Sequence, residues 1–269
     1  MKDGVEVSVV LPSYHGADVV KTQVPVLLEY LGTIGVDYEV IIVDDGSCDG
    51  GKTEQAAKIL GCRYLENLVN QGKGSAVRRG MLAARGKFRI FTDIDIPFEI
   101  STIERMLYYL QAKSYHFVAG DRTLENSSYF VKVSRARRAM SHIYSNIVGR
   151  LVAGGWFDTQ CGIKGFRDYV AEDLFSVGRI DRFAFDVELF YVALKRNYDI
   201  KRIPVELRCN EISSVNILRD GTTMVLDLPK ILFNQLFNRY QPTESLQEAH
   251  NDSEDIMKWR RCWPNDLET

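Results

Sequence analysis

Gly86-Lys87-Phe88-Arg89-Ile90-Phe91-Thr92-Asp93-Ile94-Asp95-Ile96-Pro97 reads as a short apolar strand that ends in two carboxylates one residue apart. Strand geometry decays at such an end, so Asp93 and Asp95 can both reach one loop face. Hard cations such as Mg²⁺ and Mn²⁺ take oxygen ligands from a few carboxylates and share their other positions with phosphate and water. Asp-x-Asp in this place therefore suits a metal that clamps a diphosphate. Two solvated loop aspartates would carry the same letters, so the flanking chain has to decide.

Upstream, residues 5–11 form a buried strand that Pro12 stops. Asp18 caps a helix to about residue 34, with an irregularity at Pro25. Residues 38–43 are a second buried strand, ending at Asp44-Asp45-Gly46-Ser47. A short helix to about residue 60 and a strand at 63–65 follow. Asn70-Gln71-Gly72-Lys73-Gly74 then opens a helix over 75–84. Downstream, Ser101-Thr102-Ile103-Glu104 has the form of a capping box for a helix to about residue 112, and residues 116–120 are a fifth strand. The strands are apolar along their whole length and alternate with helices. That pattern predicts an α/β fold, a Rossmann-like, mostly parallel sheet with helices on both faces. Ligands bind such sheets beyond the carboxyl ends of the strands, and Tyr14, Asp44, Asp93 and Arg122 all follow strands.

Bulk properties exclude several classes. The 269 residues, 45% hydrophobic, suffice for one large α/β domain or two small ones. A net charge of -2 provides no basic field for nucleic acid. Cys48, Cys62, Cys161, Cys209 and Cys262 are scattered and odd in number, which argues against a zinc site or a disulfide framework and fits a reducing compartment. Neither a signal peptide nor an apolar run of spanning length is expected. The second half is less regular. Arg135-Ala136-Arg137-Arg138 opens a helix to about 153, a short strand with turns lies in 158–166, a helix in 185–195 and a strand in 202–207. Residues 210–222 read as a mobile polar loop and residues 224–237 as a last helix. From Gln241 the chain turns polar and acidic, a loosely packed tail.

Taken in order, these pieces resemble the family 2 glycosyltransferases of GT-A fold, in the polyprenyl-phosphate hexose synthase branch. The resemblance rests on Val10-Leu11-Pro12-Ser13-Tyr14, Glu39-Val40-Ile41-Ile42-Val43-Asp44-Asp45-Gly46-Ser47, Asn70-Gln71-Gly72-Lys73-Gly74-Ser75-Ala76, the Asp93/Asp95 pair and Gly120-Asp121-Arg122. Asp158-Thr159-Gln160-Cys161-Gly162-Ile163-Lys164-Gly165-Phe166 and Phe183-Ala184-Phe185-Asp186-Val187-Glu188-Leu189 are similar to the dolichyl-phosphate glucosyltransferase subgroup in particular. Residues 1–240 would be one glycosyltransferase domain, with a donor half over about 1–122 and an acceptor half over about 123–240. The chain departs from the family at His15-Gly16, at Pro97 and at Ser213-Ser214, where relatives carry Asn-Glu, a polar residue and Ser-Lys. The membrane helices of many relatives are missing from it.

The resemblance implies a nucleotide-diphosphate hexose donor of the UDP-glucose or GDP-mannose type, Mg²⁺ or Mn²⁺, inversion at the sugar carbon and a polyprenyl phosphate acceptor. The alternative is a soluble family 2 enzyme acting on a hydroxyl of a glycan or small molecule. Asp95 is the expected direct metal ligand, with Asp93 on the ribose, the second shell or the metal's waters. Asp44 would accept hydrogen bonds from the nucleotide, and Pro12 and Tyr14 would pack on its base. Arg122, Arg208 and Arg219 are the candidate phosphate contacts, because guanidinium grips oxyanions in a fixed fork. Arg135, Arg137 and Arg138 would receive an acceptor phosphate or anionic lipid. A hydroxyl acceptor needs a base, and Asp186 is the first candidate, whereas a lipid phosphate arrives ionised. Cys161 reads as a packed small side chain. Spacing alone assigns no chemistry to Gln160 or Lys164. The expected location is cytoplasmic, with peripheral contact to the membrane face.

Overall fold

The apolar runs become the strands β1 (Val7–Ser13), β2 (Tyr38–Asp44), β3 (Arg63–Glu66), β4 (Phe88–Thr92), β5 (Phe117–Asp121), β6 (Ile163–Arg167) and β7 (Ile200–Pro204). The helices are α1 (Ala17–Ile34), α2 (Lys52–Ile59), α3 (Lys73–Ala83), α4 (Ser101–Gln111), α5 (Asp168–Val177), α6 (Phe185–Lys195) and α7 (Ile217–Leu236). This computed structural model describes residues 4–128, 158–208 and 217–241, with the backbone alone over 217–225. The expected helix at 135–153, its arginines and the tail from 242 lie outside the described residues.

One sheet runs in the order β3-β2-β1-β4-β6-β5-β7. All its pairings are parallel except those of β6, which runs against β4 and β5. Every residue of β1 and β4 is buried, which is why neither strand alternates in sequence. Alternate side chains enter two cores. Val10, Ile41, Val43 and Phe91 pack with α3, α5 and α6 on one face, and Val9, Leu11, Ile42 and Ile90 pack with α1, α2 and α4 on the other. Burying such chains stabilises by roughly 1.5–3 kcal/mol each, so strand polarity and helix placement are over-determined. The chain changes direction of travel across the sheet at β1 and β4, the switch point where a crevice opens at the carboxyl ends.

Several local expectations are corrected. Pro12 lies inside β1, opposite Val43. Pairing of β1 with β4 covers only Val7–Val10, so beyond Val10 the strand is paired on one side and a residue without N–H is tolerated. No capping box forms at α4. Its start is closed by Thr102 N donating to Glu99 O at 2.9 Å, and the Glu104 carboxylate accepts from Tyr30 OH at 3.0 Å instead. Asp18 sits in the first turn of α1 after Gly16 rather than capping it. The segment expected to be a loop over 210–222 is helical from Ile217 onward. Helix α5 and the antiparallel insertion of β6 are additions to the expected plan.

Candidate active site

Three loops close over the carboxyl ends of β1, β2 and β4, and hydrogen bonds tie the first two together. Asp45 N donates to Ser13 O at 2.8 Å, and His15 N donates to Ser47 Oγ at 2.7 Å. Tyr14 stands out of this junction, 53% exposed, its ring 4.3 Å from that of His15. Pro12 is buried. The Asp44 carboxylate is also buried. It accepts from Ser47 N at 3.2 Å, from Ser47 Oγ and from Tyr64 OH at 3.4 Å, so part of its acceptor capacity closes its own turn.

Asp45, which the sequence reading passed over, does more to build the crevice. It accepts from Asn67 Nδ2 at 2.7 Å, Gln71 N at 3.1 Å and Gly72 N at 2.7 Å. One buried carboxylate thereby fastens the loop after β2 to the loop that opens α3. The signal was present in the sequence as an Asp-Asp pair at a strand end, followed 25 residues on by an Asn-Gln-Gly turn with free amides. Gly72 has φ +112, and a side chain there would meet Asp181 O at 2.6 Å. Its lack of a side chain therefore serves packing against the 180–182 loop, where Ser75 N also donates to Asp181 O at 3.0 Å. Asp45→Ala is expected to cost about 2 kcal/mol in urea unfolding, because three donors lose a charged acceptor. It should also weaken nucleotide binding. Wild-type stability would show that this tether is not needed.

At the end of β4 the chain makes a tight turn, with Ile96 N donating to Asp93 O at 3.0 Å. Ile96 has φ +44, an unfavourable conformation for a β-branched residue and of the kind that gathers at functional sites. Asp95 is exposed and Asp93 half-buried. Lys73 Nζ lies 2.5 Å from Asp93 Oδ1. Burial opposes the Lys73 charge, but Asp93, Asp186 and Asp95 together hold its ammonium above the ordinary lysine value. The turn is then pinned to the strand-like segment 205–208. Glu99 N donates to Glu206 O at 2.9 Å, Phe98 bridges Leu207, and Arg208 N donates to Pro97 O at 2.7 Å. That bond carries Arg208 to the acidic turn from more than a hundred residues away. Arg219 lies in α7, its side chain outside the described residues.

Because β6 runs antiparallel, its beginning reaches the same edge, and Ile163 stands opposite Thr92. Gly162 abuts Asp93, leaving no room there for a side chain. Asp158 binds Arg122 through Nε at 2.9 Å and Nη2 at 2.6 Å, and accepts from Arg122 N at 2.7 Å. Burial works against Asp158 ionisation, yet Arg122 holds the carboxyl below its usual value. Arg122 thus serves the 158–162 turn with the two nitrogens that face it. Lys164 is wholly buried, its Nζ donating to Cys161 O at 2.7 Å and Asp186 Oδ1 at 2.6 Å between the rings of Phe91 and Phe190. Burial pushes the Asp186 carboxyl above its ordinary value, against the pull of Lys164 and Lys73. Cys161, buried, has its thiol pushed up to about 12, consistent with a packing role. Glu188 faces away, accepting from Arg179 N, Ile180 N and Tyr240 OH.

Among the described residues, five buried side-chain polar atoms lack a partner: Ser13 Oγ, Thr92 Oγ1, Gln160 Nε2, Arg208 Nη1 and Arg105 Nε. All but Arg105 lie in the segments that meet at this edge. Such concentration marks a surface shaped for a polar ligand. The arrangement is an acidic pair at a switch point, edged by cations and unsatisfied donors, with an exposed aromatic ring on the far side.

Similarity to known proteins identifies the family. The family model described as Glycosyl transferase family 2 matches residues 8–175. A dolichyl-phosphate beta-glucosyltransferase of Drosophila melanogaster is 33% identical over 77% of this chain and 68% of its own length. One of Dictyostelium discoideum is 29% identical over 87% of this chain and 76% of its own. Among solved structures, glucosyl-3-phosphoglycerate synthase of Mycobacterium tuberculosis, in complex with Mg²⁺ and UDP, superposes with a TM-score of 0.61 at 18% identity, covering 91% of this chain and 82% of that one. At that identity the likeness bears on the fold alone. With a family match over more than half its length, the chain belongs to glycosyl transferase family 2, and it is a glycosyltransferase of GT-A fold.

Proposed function

We propose that this enzyme moves a hexose, glucose in the first instance, from a nucleotide-diphosphate sugar to a polyprenyl phosphate, with inversion and with a divalent metal. The observation that carries the acceptor class is the burial of Asp186. Asp186, the first candidate for a base, is 2% exposed and tied to Lys164. A hydroxyl acceptor would need an accessible base, whereas a phosphate monoester is already ionised at neutral pH. The names of the Drosophila and Dictyostelium relatives support the same class.

Asp93 and Asp95 fit a hard cation: their donors are oxygens, and no cluster of three or more metal-binding side chains exists among the described residues. The protein would therefore supply two ligands and leave the others to diphosphate and water, the usual arrangement for Mg²⁺ or Mn²⁺. When bound, such an ion neutralises charge on the leaving diphosphate. The chain's own groups do the rest. Tyr14 covers the base, with Pro12 beneath it, and the remaining lone pairs of Asp44 accept from the nucleoside. Arg208, carried by its bond to Pro97, approaches the phosphates with its unpartnered Nη1. Arg219 and Arg122 are the further cations of the donor side. Asp186 acts from behind, as the carboxylate facing Lys73 and Lys164.

No described helix is long and apolar enough to cross a membrane. A polyprenyl acceptor implies contact with a bilayer surface, and α7 has a face for it. Leu226, Leu232, Phe233, Leu236 and Phe237 are exposed on it, and the exposed charges over 226–241, Lys230 and Arg239, are both basic. The test is a purified full chain with Mn²⁺, a panel of sugar nucleotides, and polyprenyl phosphate in vesicles. The expected result is glucose transfer from UDP-glucose to the lipid, a β-linked product and co-sedimentation with the vesicles. Transfer to soluble hydroxyl acceptors alone, with no sedimentation, would overturn the lipid reading.

A further inference from the structure

Lys73 is the first residue of α3, where the positive end of the helix dipole disfavours an ammonium group. Its side chain is nevertheless 19% exposed and in contact with Asp93. Asp93 is confined on its other side by Gly162. Asp186 acts on Lys73 from the core side and is itself held by Lys164. Outward from the core the groups alternate as ammonium, carboxylate, ammonium, carboxylate: Lys164, Asp186, Lys73, Asp93.

We propose that Lys73 is the resident cation of the acidic pair, holding Asp93 until metal and diphosphate arrive together, and thereby making metal binding conditional on the donor. The inference rests on the reading of Asp93 and Asp95 as metal ligands. A divalent ion entering beside Asp95 with Lys73 in place meets a fixed positive charge in contact with its other carboxylate, and at protein dielectric that repulsion is large. A diphosphate brings enough negative charge to accommodate both cations. Lys73 can then move from Asp93 toward Asp186 and the phosphate oxygens without leaving negative surroundings. Metal alone binds poorly, metal with nucleotide binds well, and by reciprocity the metal strengthens nucleotide binding by the same factor.

The test titrates the full chain with Mn²⁺ and reads free ion by electron paramagnetic resonance, with and without UDP. Wild type, Lys73→Met, Lys73→Gln and Lys73→Arg are compared at one pH, with thermal unfolding as a check on folding. In the wild type, UDP should tighten Mn²⁺ at least about tenfold. The Met and Gln variants should bind Mn²⁺ alone at least about tenfold more tightly than wild type, with a smaller response to UDP, while the Arg variant keeps wild-type behaviour. If the folded Met or Gln variant binds Mn²⁺ alone no better than wild type while UDP still enhances binding in the wild type, the resident-cation role is wrong and the metal site stands. If the wild type takes up no Mn²⁺ even with UDP, the metal reading fails and this inference with it.

Discussion

Asp95→Ala is expected to lower kcat by about three orders of magnitude, some 4 kcal/mol of transition-state stabilisation, while leaving the fold intact. The two halves of that expectation have different causes. Asp95 is exposed in the turn after β4, so truncation opens no cavity; its effect on stability should be within about 0.5 kcal/mol. Charge develops on the diphosphate as the sugar leaves, and an acidic pair reduced to one carboxylate holds a compensating ion weakly. Asp93 cannot take over alone, because a single carboxylate gives a hard cation too few protein oxygens to hold it beside the diphosphate. Binding measurements separate this account from a general loss of activity. The variant should bind UDP like wild type in EDTA, and Mn²⁺ should no longer improve that binding. A kcat within tenfold of wild type, or an undiminished Mn²⁺ effect on UDP affinity, would remove the metal role from Asp95.

How much of this was legible in the sequence follows from the range of the forces concerned. Strands of unbroken burial leave an apolar run and helices leave a period, so all seven strands and most helices were readable from neighbouring residues. The convergence of Tyr14, Asp44 and Asp93 followed from parallel strands sharing a direction. The course of β6 was not legible, because nothing local tells a strand to insert antiparallel between β4 and β5. That insertion is what sets Gly162 against Asp93 and Lys164 against Asp186. Arg208 reached the acidic turn through a backbone bond to Pro97, which no side-chain pattern encodes. Pro12 was misread for a related reason. A proline ends a strand only where its missing N–H is needed, and that depends on which neighbour has already stopped pairing. Lys164 is the fullest case. In the sequence it is one cation in a glycine-rich stretch, and its burial depends on three elements that meet only in the fold.

That burial makes Lys164→Met the second large effect. The substitution leaves the Asp186 carboxylate in the core with its main partner gone, and breaking a buried pair from one side typically costs about 3–5 kcal/mol. The aliphatic stem is kept, so packing against Phe91 and Phe190 changes little, and the loss is electrostatic. The pH dependence checks this origin. Burial already raises Asp186 above its unfolded value, and Lys164 is the first of the groups that pull it back. Without Lys164 the folded value rises further. A group raised in the folded state contributes stability that is present below its unfolded value, near 4, and is lost as pH climbs through the folded value. The deficit of Lys164→Met relative to wild type should therefore be small near pH 4 and grow toward pH 8. The double variant Lys164→Met/Asp186→Leu removes both charges and should recover most of the stability, since an apolar pair of similar volume can replace a buried ion pair. Turnover is a separate matter. If Asp186 is needed behind Lys73, the double variant folds but transfers sugar poorly. A deficit independent of pH, or a double variant no more stable than the single one, would mean that Lys164 holds this part of the core by shape and not by charge.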